Sequence, residues 1–218
     1  MGQCTVSNWD GFWARAEASG SDASWSKKRI IHILSPFLLN HPKVLDAGCG
    51  SGFFSKFFCD QGLVTSSLDY SPVALALTAR CTNNRSQTIR ADLLAPSSPG
   101  LVPNTFDMIF SDGLFEHFSP DEQDIMMKNL VALLAVDGLL VTFVPNRWSP
   151  WQVVRPLFMP GIKEDPFDYP GLLDLYARNG ITVISSGGIN TIPFRWSPDT
   201  LLGRRFGMLL FAVGKRAL

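Results

Sequence analysis

Lys43-Val44-Leu45-Asp46-Ala47-Gly48-Cys49-Gly50-Ser51-Gly52 is a short apolar run that ends in three glycines at alternate positions. It reads as a buried strand entering a tight turn, because glycine alone takes left-handed φ values freely and lets the backbone approach a ligand that side chains would exclude. Immediately after the turn, Phe53, Phe54, Phe57 and Phe58 form two i, i+4 pairs, which marks a packed helix that Gly62 is placed to cap. A glycine turn between a strand and a helix is a candidate cofactor site.

Upstream, Ile30, Ile31, Ile33, Leu34, Phe37 and Leu38 recur at helical spacing, which predicts an amphipathic helix over Trp25–Leu39 with Pro36 placed to kink it. Downstream, Leu63–Leu68 reads as a strand, and Ser71-Pro72 supplies an N-cap and first-turn proline for a helix to about Cys81. Gln87–Ala91 is a weaker strand and Phe106–Ser111 a clear one. Ser119-Pro120-Asp121-Glu122 is a capping box that opens a helix to about Val136, and Leu139–Val144 is the fifth strand. Strands alternating with helices call for an α/β, doubly wound, mostly parallel Rossmann-like sheet that binds ligands at the carboxyl ends of its strands. Between Pro145 and Pro170 the pattern breaks: six prolines and three tryptophan or tyrosine residues read as an insertion without core elements. A short helix over Leu172–Asn179, a strand from Ile181 and a final strand over Phe206–Val213 complete the chain. The expected organisation is one domain over residues 1–218, with 1–41 as an N-terminal helical cap and 145–170 as an insertion placed to act as a lid.

The chain has 218 residues, 46% of them hydrophobic, enough for one substantial core. Lys plus Arg and Asp plus Glu both total 19, so there is no net charge to gather phosphates, and a nucleic-acid partner is not expected. Lys27-Lys28-Arg29 and Arg204-Arg205 read as solvated surface. The N-terminus lacks a basic start followed by an apolar stretch, and no apolar run reaches the ~20 residues that cross a bilayer. A soluble, cytoplasmic protein with no membrane span is the expectation. Cys4, Cys49, Cys59 and Cys81 show neither C-x-x-C nor histidine at ligand spacing, which points to reduced, mostly buried thiols rather than zinc or a redox dithiol.

Asp69 closes the second strand, where a carboxylate can accept hydrogen bonds from both ribose hydroxyls of a nucleoside. A dinucleotide fingerprint would need glycine at the sixth position of the turn, and Phe53 stands there, which disfavours a nicotinamide enzyme. With the second strand's Leu68-Asp69-Tyr70-Ser71, and with Ala91-Asp92-Leu93, Phe106-Asp107-Met108-Ile109-Phe110-Ser111, Glu116-His117, Leu133-Leu134 and Gly138-Leu139-Leu140, the chain resembles the class I S-adenosylmethionine-dependent methyltransferases. The similar group is the one that includes ubiquinone and menaquinone biosynthesis methyltransferases, and the likeness spans about Lys43–Val144. It implies S-adenosyl-L-methionine as cofactor, S-adenosyl-L-homocysteine as product, and a seven-stranded sheet ending in an antiparallel hairpin. It further implies that Asp46, Gly48, Cys49, Gly50 and Gly52 lie beside the methionine portion. Asp69 with Tyr70 would hold the ribose, Asp92 with Leu93 the adenine, and Ser111 with Asp112 the region of the sulfonium.

A sulfonium activates its own methyl group, so the protein's task is mainly alignment. Where the acceptor must lose a proton, His117 is the best-placed general base, beside the plainer reading of a side chain that holds its loop. Some quinone O-methyltransferases of this group carry E-x-x-E-H here and use it for a divalent cation. In this chain Gly113 replaces the first acid, so no metal is expected. Ser111-Asp112-Gly113-Leu114-Phe115 also lacks the Asn/Asp-Pro-Pro-aromatic pattern of nucleic-acid and protein amino methyltransferases, and arsenic methylation is disfavoured because Cys49 alone falls inside a motif of the resemblance and lies in the cofactor turn. The acceptor is expected to be a small molecule, ring-bearing or otherwise hydrophobic. It would be met by Trp9, Phe12 and Trp13, by the insertion, and by Phe194-Arg195-Trp196, with Arg15, Arg147, Arg155 and Arg195 as anchors for an acidic group. The competing functions are a nicotinamide-dependent oxidoreductase and a noncatalytic nucleoside-binding subunit.

Overall fold

Seven strands build one sheet in the order β3-β2-β1-β4-β5-β7-β6 in the computed structural model, which describes residues 9–11, 24–95, 105–158 and 164–216. The strands are β1 (Lys43–Ala47), β2 (Val64–Asp69), β3 (Gln87–Arg90), β4 (Phe106–Asp112), β5 (Leu134–Pro145), β6 (Ile181–Ile189) and β7 (Leu209–Arg216). The first five are parallel, as crossover helices require. β7 lies antiparallel between β5 and β6, which is the C-terminal hairpin that the resemblance implies.

The helices are α1 (Trp25–Leu38), α2 (Phe53–Asp60), α3 (Pro72–Cys81), α4 (Pro120–Ala132), α5 (Trp151–Phe158), α6 (Tyr169–Arg178) and α7 (Asp199–Phe206). Side chains of a strand alternate between faces, so the sheet feeds two cores. Val44 joins Ile30 and Leu34 of α1 and Phe54 and Phe58 of α2. Leu45 joins Met126 and Leu130 of α4 and Leu175 and Tyr176 of α6. The phenylalanines of α2 continue into the sheet: Phe54 and Phe58 lie 4.7 and 5.5 Å from Phe110, which lies 6.0 Å from Phe143, itself 5.7 Å from Phe211. Aromatic pairs at such distances each add ~0.5–1.5 kcal/mol beyond their burial.

Three boundaries differ from the sequence expectation. α4 stops at Ala132 rather than near Val136, because Leu134 already pairs with Phe106; a register shift then brings Leu139 opposite Met108, with Asp137 at φ +62°. Phe206, expected to open the last strand, instead ends α7, and β7 begins at Leu209. α7 sits directly on β6: a Cβ on Gly188 would lie 1.9 Å from the carbonyl oxygen of Gly203, an approach that only paired glycines allow. α6 starts at Tyr169 because the Asp168 side chain accepts the Gly171 amide at 2.8 Å and Pro170 fits the first turn.

The insertion also contains more order than its prolines imply. It carries α5, and its two ends are joined: Asn146 bridges Phe167, the Arg147 amide donates to Phe167 O at 2.8 Å, and the Phe167 amide donates to Pro145 O at 3.0 Å. Among the described cysteines only Cys49 is buried, while Cys59 and Cys81 are partly exposed; all three are free. Cys4, Phe12, Trp13 and Arg15 lie outside the described residues. Among the described residues, no helix is long and apolar enough to cross a membrane.

Candidate active site

The glycine turn is moored to the neighbouring strand. The amides of Gly48 and Cys49 donate to Leu68 O at 2.8 and 3.1 Å, and the Gly50 amide donates to Asp69 Oδ2 at 3.1 Å. Gly48, Gly50 and Gly52 have φ of +72°, +52° and +81°, the left-handed region that the sequence assigned to them. A Cβ on Gly52 would stand 2.7 Å from Thr78 Cα, so α3 presses on the turn, and Thr78 Oγ1 donates to Gly50 O at 3.1 Å.

Asp69 is 6% exposed, and its other oxygen, Oδ1, accepts the Ser71 amide at 2.9 Å. Burial pushes its carboxyl above the usual carboxylate range, while the amides of Ser71, Gly50 and Tyr70 oppose the shift. A carboxylate has about four lone-pair sites, so these three amides leave one for a further donor. Asp10, in the short helical turn 9–11, accepts a hydrogen bond from Ser71 Oγ, which brings an N-terminal residue to the edge of this pocket. Asp92 and Leu93 follow β3, which pairs with β2 in the register Asp69↔Arg90. Asp92 is exposed, with Oδ1 accepting the Leu94 amide at 2.9 Å, and Leu93 is buried. Tyr70 is partly exposed.

Asp46 is 3% exposed and accepts Ser55 Oγ at 2.6 Å, so it ties the turn to α2. Burial pushes its carboxyl up to about 7. At the end of β4, Ser111 is fully buried and its Oγ donates to Thr142 Oγ1 at 3.4 Å. Burial pushes Asp112 up to about 7 as well, with the Lys27 ammonium of α1 opposing the shift. Asp112 also raises Asp46 electrostatically, so the ends of β1 and β4 form one acidic floor.

Beyond Gly113, whose φ is +74°, a 3-10 turn (Phe115–His117) carries the last sequence-predicted residue. The His117 ring packs edge-on to Trp9 with centroids 4.7 Å apart, and its Nε2 lies 3.8 Å from Glu116 Oε1. Glu116 is 2% exposed, and burial pushes its carboxyl well above the usual range. The insertion ends on this turn: the Asp165 amide donates to Glu116 O at 2.7 Å, and Glu164, its side chain 5% exposed, pairs with Arg155 at 3.1 Å. Sequence reasoning missed Glu164, which no motif or local spacing marks. Of the arginines expected as anchors, Arg147 pairs with Asp165 at 3.1 Å and Arg155 with Glu164, while Arg195 lies exposed between exposed Phe194 and Trp196.

A glycine turn after β1, an acid ending β2 and a loop after β4 lie at one edge of a β3-β2-β1-β4-β5-β7-β6 sheet, a fold shared with methyltransferases of known structure. Residues 44–138, from β1 to the start of β5, match the family model described as Methyltransferase domain. The chain is 31% identical over 142 residues to the malonyl-[acyl-carrier protein] O-methyltransferase of Paenibacillus sp. (strain JDR-2), a match covering 60% of this chain and 49% of that protein. It is 28% identical over 122 residues to the ubiquinone biosynthesis O-methyltransferase of Histophilus somni (strain 2336), covering 53% and 50% respectively. The match spans about half the length of these curated relatives. The N-methyltransferase NodS from Bradyrhizobium japonicum WM9, solved with S-adenosyl-L-homocysteine, has the same fold at a TM-score of 0.67 and 15% identity, over 96% of this chain and 98% of that one.

Proposed function

We propose that this chain is an S-adenosylmethionine-dependent methyltransferase that acts on a small, ring-bearing or otherwise hydrophobic acceptor and releases S-adenosyl-L-homocysteine. The observation that carries the reading is the hydrogen bond from the Gly50 amide to Asp69 Oδ2, which makes the β1 turn and the β2 acid one pocket. The residues fit the cofactor: glycines leave backbone where a nucleoside must pass closely, and the Asp69 carboxylate retains acceptor capacity for a ribose hydroxyl. When bound, the cofactor supplies an electrophilic methyl group on a sulfonium.

The chain's own residues then bind and align. Gly48, Cys49, Gly50 and Gly52 shape the methionine side over Asp46, Asp69 with Tyr70 takes the ribose, and Asp92 with Leu93 borders the adenine. Ser111 and Asp112 end β4 beside the reacting group, where a carboxylate complements a sulfonium. His117 and Glu116 meet the acceptor atom that receives the methyl group. Two relatives are O-methyltransferases by name, which favours an oxygen acceptor. The balanced charge argues against nucleic acid, and we place the activity in the cytoplasm. The organisation we propose is a single domain over 1–218, with 1–41 as a cap and 145–170 as a lid that excludes water.

Calorimetry with S-adenosylmethionine, S-adenosylhomocysteine and NADH tests the reading. Binding of both adenosyl compounds and none of NADH is expected. Binding of NADH alone would replace the reading with an oxidoreductase, and adenosyl binding without turnover on an acceptor panel would favour the noncatalytic subunit.

A further inference from the structure

Two carboxylates from distant parts of the chain meet an imidazole beside the proposed acceptor position. One oxygen of Glu116, one of Glu164 and a ring nitrogen of His117 all lie within 4.8 Å of one another. Both carboxylates are withdrawn from water, Glu116 at 2% exposure and the Glu164 side chain at 5%. Oε2 of Glu116 and Oε2 of Glu164 have no hydrogen-bond partner among the described residues. A buried carboxylate oxygen left without a donor is strongly unfavourable unless something binds it. Arg155 meets Oε1 of Glu164 and also acts electrostatically on Glu116, so one guanidinium stands beside two carboxylates.

The third ligand comes from an unexpected place. Position 113 offers no carboxylate, and the local geometry opposes one: Gly113 has φ +74°, and a Cβ there would stand 3.3 Å from Glu116 Oε1. Glu164 reaches the same carboxylate from the insertion, held there by the hydrogen bond between the Asp165 amide and Glu116 O. Two carboxylate oxygens and one imidazole nitrogen suit an octahedral divalent ion such as Mn²⁺ or Mg²⁺. Around such an ion, ligand atoms at ~2.1 Å are ~3–4 Å apart, so the trio must draw together by ~1 Å to hold one.

We propose that Glu116, His117 and Glu164 form a divalent-cation site in which Glu164 fastens the segment after β5 over the acceptor side of the cofactor pocket. The cation site stands on its own ligands; what lies beneath the fastened segment rests on the methyltransferase reading. His117 then holds the ion rather than taking the acceptor's proton. The proposal departs from the expectation of no metal, which rested on Gly113 standing in place of the first acid of E-x-x-E-H.

The test titrates Mn²⁺ into the full chain with S-adenosylhomocysteine present and follows the loss of the free-ion electron paramagnetic resonance signal. One ion per chain is expected. Loss of a direct ligand costs at least as much as loss of an outer-shell partner, so Glu164→Gln should weaken Mn²⁺ by ~10–100-fold, with S-adenosylhomocysteine affinity unchanged. Glu164→Asp, which keeps the charge but shortens the reach, should fall between the two and serves if the amide variant does not fold. Mn²⁺ should also slow amide exchange in residues 164–168 of the native chain. A native chain that binds S-adenosylhomocysteine but takes up no stoichiometric Mn²⁺ overturns the proposal, as does equal Mn²⁺ affinity in the native and Glu164→Gln proteins. Mn²⁺ uptake that depends on Glu164 in a chain that binds no S-adenosylhomocysteine would keep the cation site and remove the methyltransferase reading instead.

Discussion

Asp69 accepts the amide of Gly50 at 3.1 Å, so the acid that ends β2 is bonded to the glycine turn that ends β1. One carboxylate therefore shapes the turn and presents acceptors to whatever lies across it. Asp69→Ala should lower affinity for S-adenosylhomocysteine by two orders of magnitude or more, since each hydrogen bond to a charged group is worth ~1.5–3 kcal/mol. Calorimetry on a variant whose circular dichroism is native decides the matter; near-native affinity would remove Asp69 from the site. Because burial raises the Asp69 carboxyl above its ordinary range, affinity should also begin to fall at a higher pH than an exposed aspartate would produce.

Asp46 and Asp112 both sit at about 7, raised by burial. An acid whose folded pKa exceeds its unfolded value binds more protons when folded, so its contribution to stability is full below about 4 and is lost as pH rises through about 7. The ligand-free chain should therefore be more stable at pH 5 than at pH 8, and Asp112→Asn should flatten that difference. Thermal melts across this range measure it, and a native chain that gains stability towards pH 8 would contradict the assignment.

Gly52 and Gly62 separate backbone strain from collision. Both are left-handed, at φ +81° and +79°, but a Cβ at 52 would lie 2.7 Å from Thr78 Cα while one at 62 meets nothing within 4 Å. Gly62→Ala should cost ~1 kcal/mol, and Gly52→Ala ~3 kcal/mol or more together with loss of adenosyl binding. Equal costs in urea unfolding would show that α3 yields without penalty.

Phe110 links the α2 phenylalanines to Phe143 and is fully buried. Phe110→Ala should destabilise the chain by ~3–5 kcal/mol, the range for emptying a packed aromatic site. A loss under ~1 kcal/mol in denaturant titration would mean that the neighbouring rings refill the space.

The ends of the insertion meet at the Asn146–Phe167 bridge, so a short glycine-serine link can replace Trp148–Pro166 without moving β5 or α6. Adenosyl binding should survive this deletion and methyl transfer should not. Normal turnover in the shortened protein would place the acceptor site elsewhere.

Local chemistry determined what the sequence could show. The glycine turn, the Ser71 and Ser119 caps and the acid at Asp69 each depend on residues a few positions apart, and the five parallel strands lie on the stretches expected of them, β3 on the weakest signal. The tertiary structure decided whatever depends on contacts between distant segments. Phe206 ends a helix because Gly203 lies on Gly188, and α4 stops early because Leu134 finds Phe106 across the sheet. Glu164 reaches Glu116 and His117 only because Asn146 and Phe167 close the insertion on itself. Burial and charge at such meeting points come from the folded path of the whole chain, which hydrophobic periodicity within one segment does not encode.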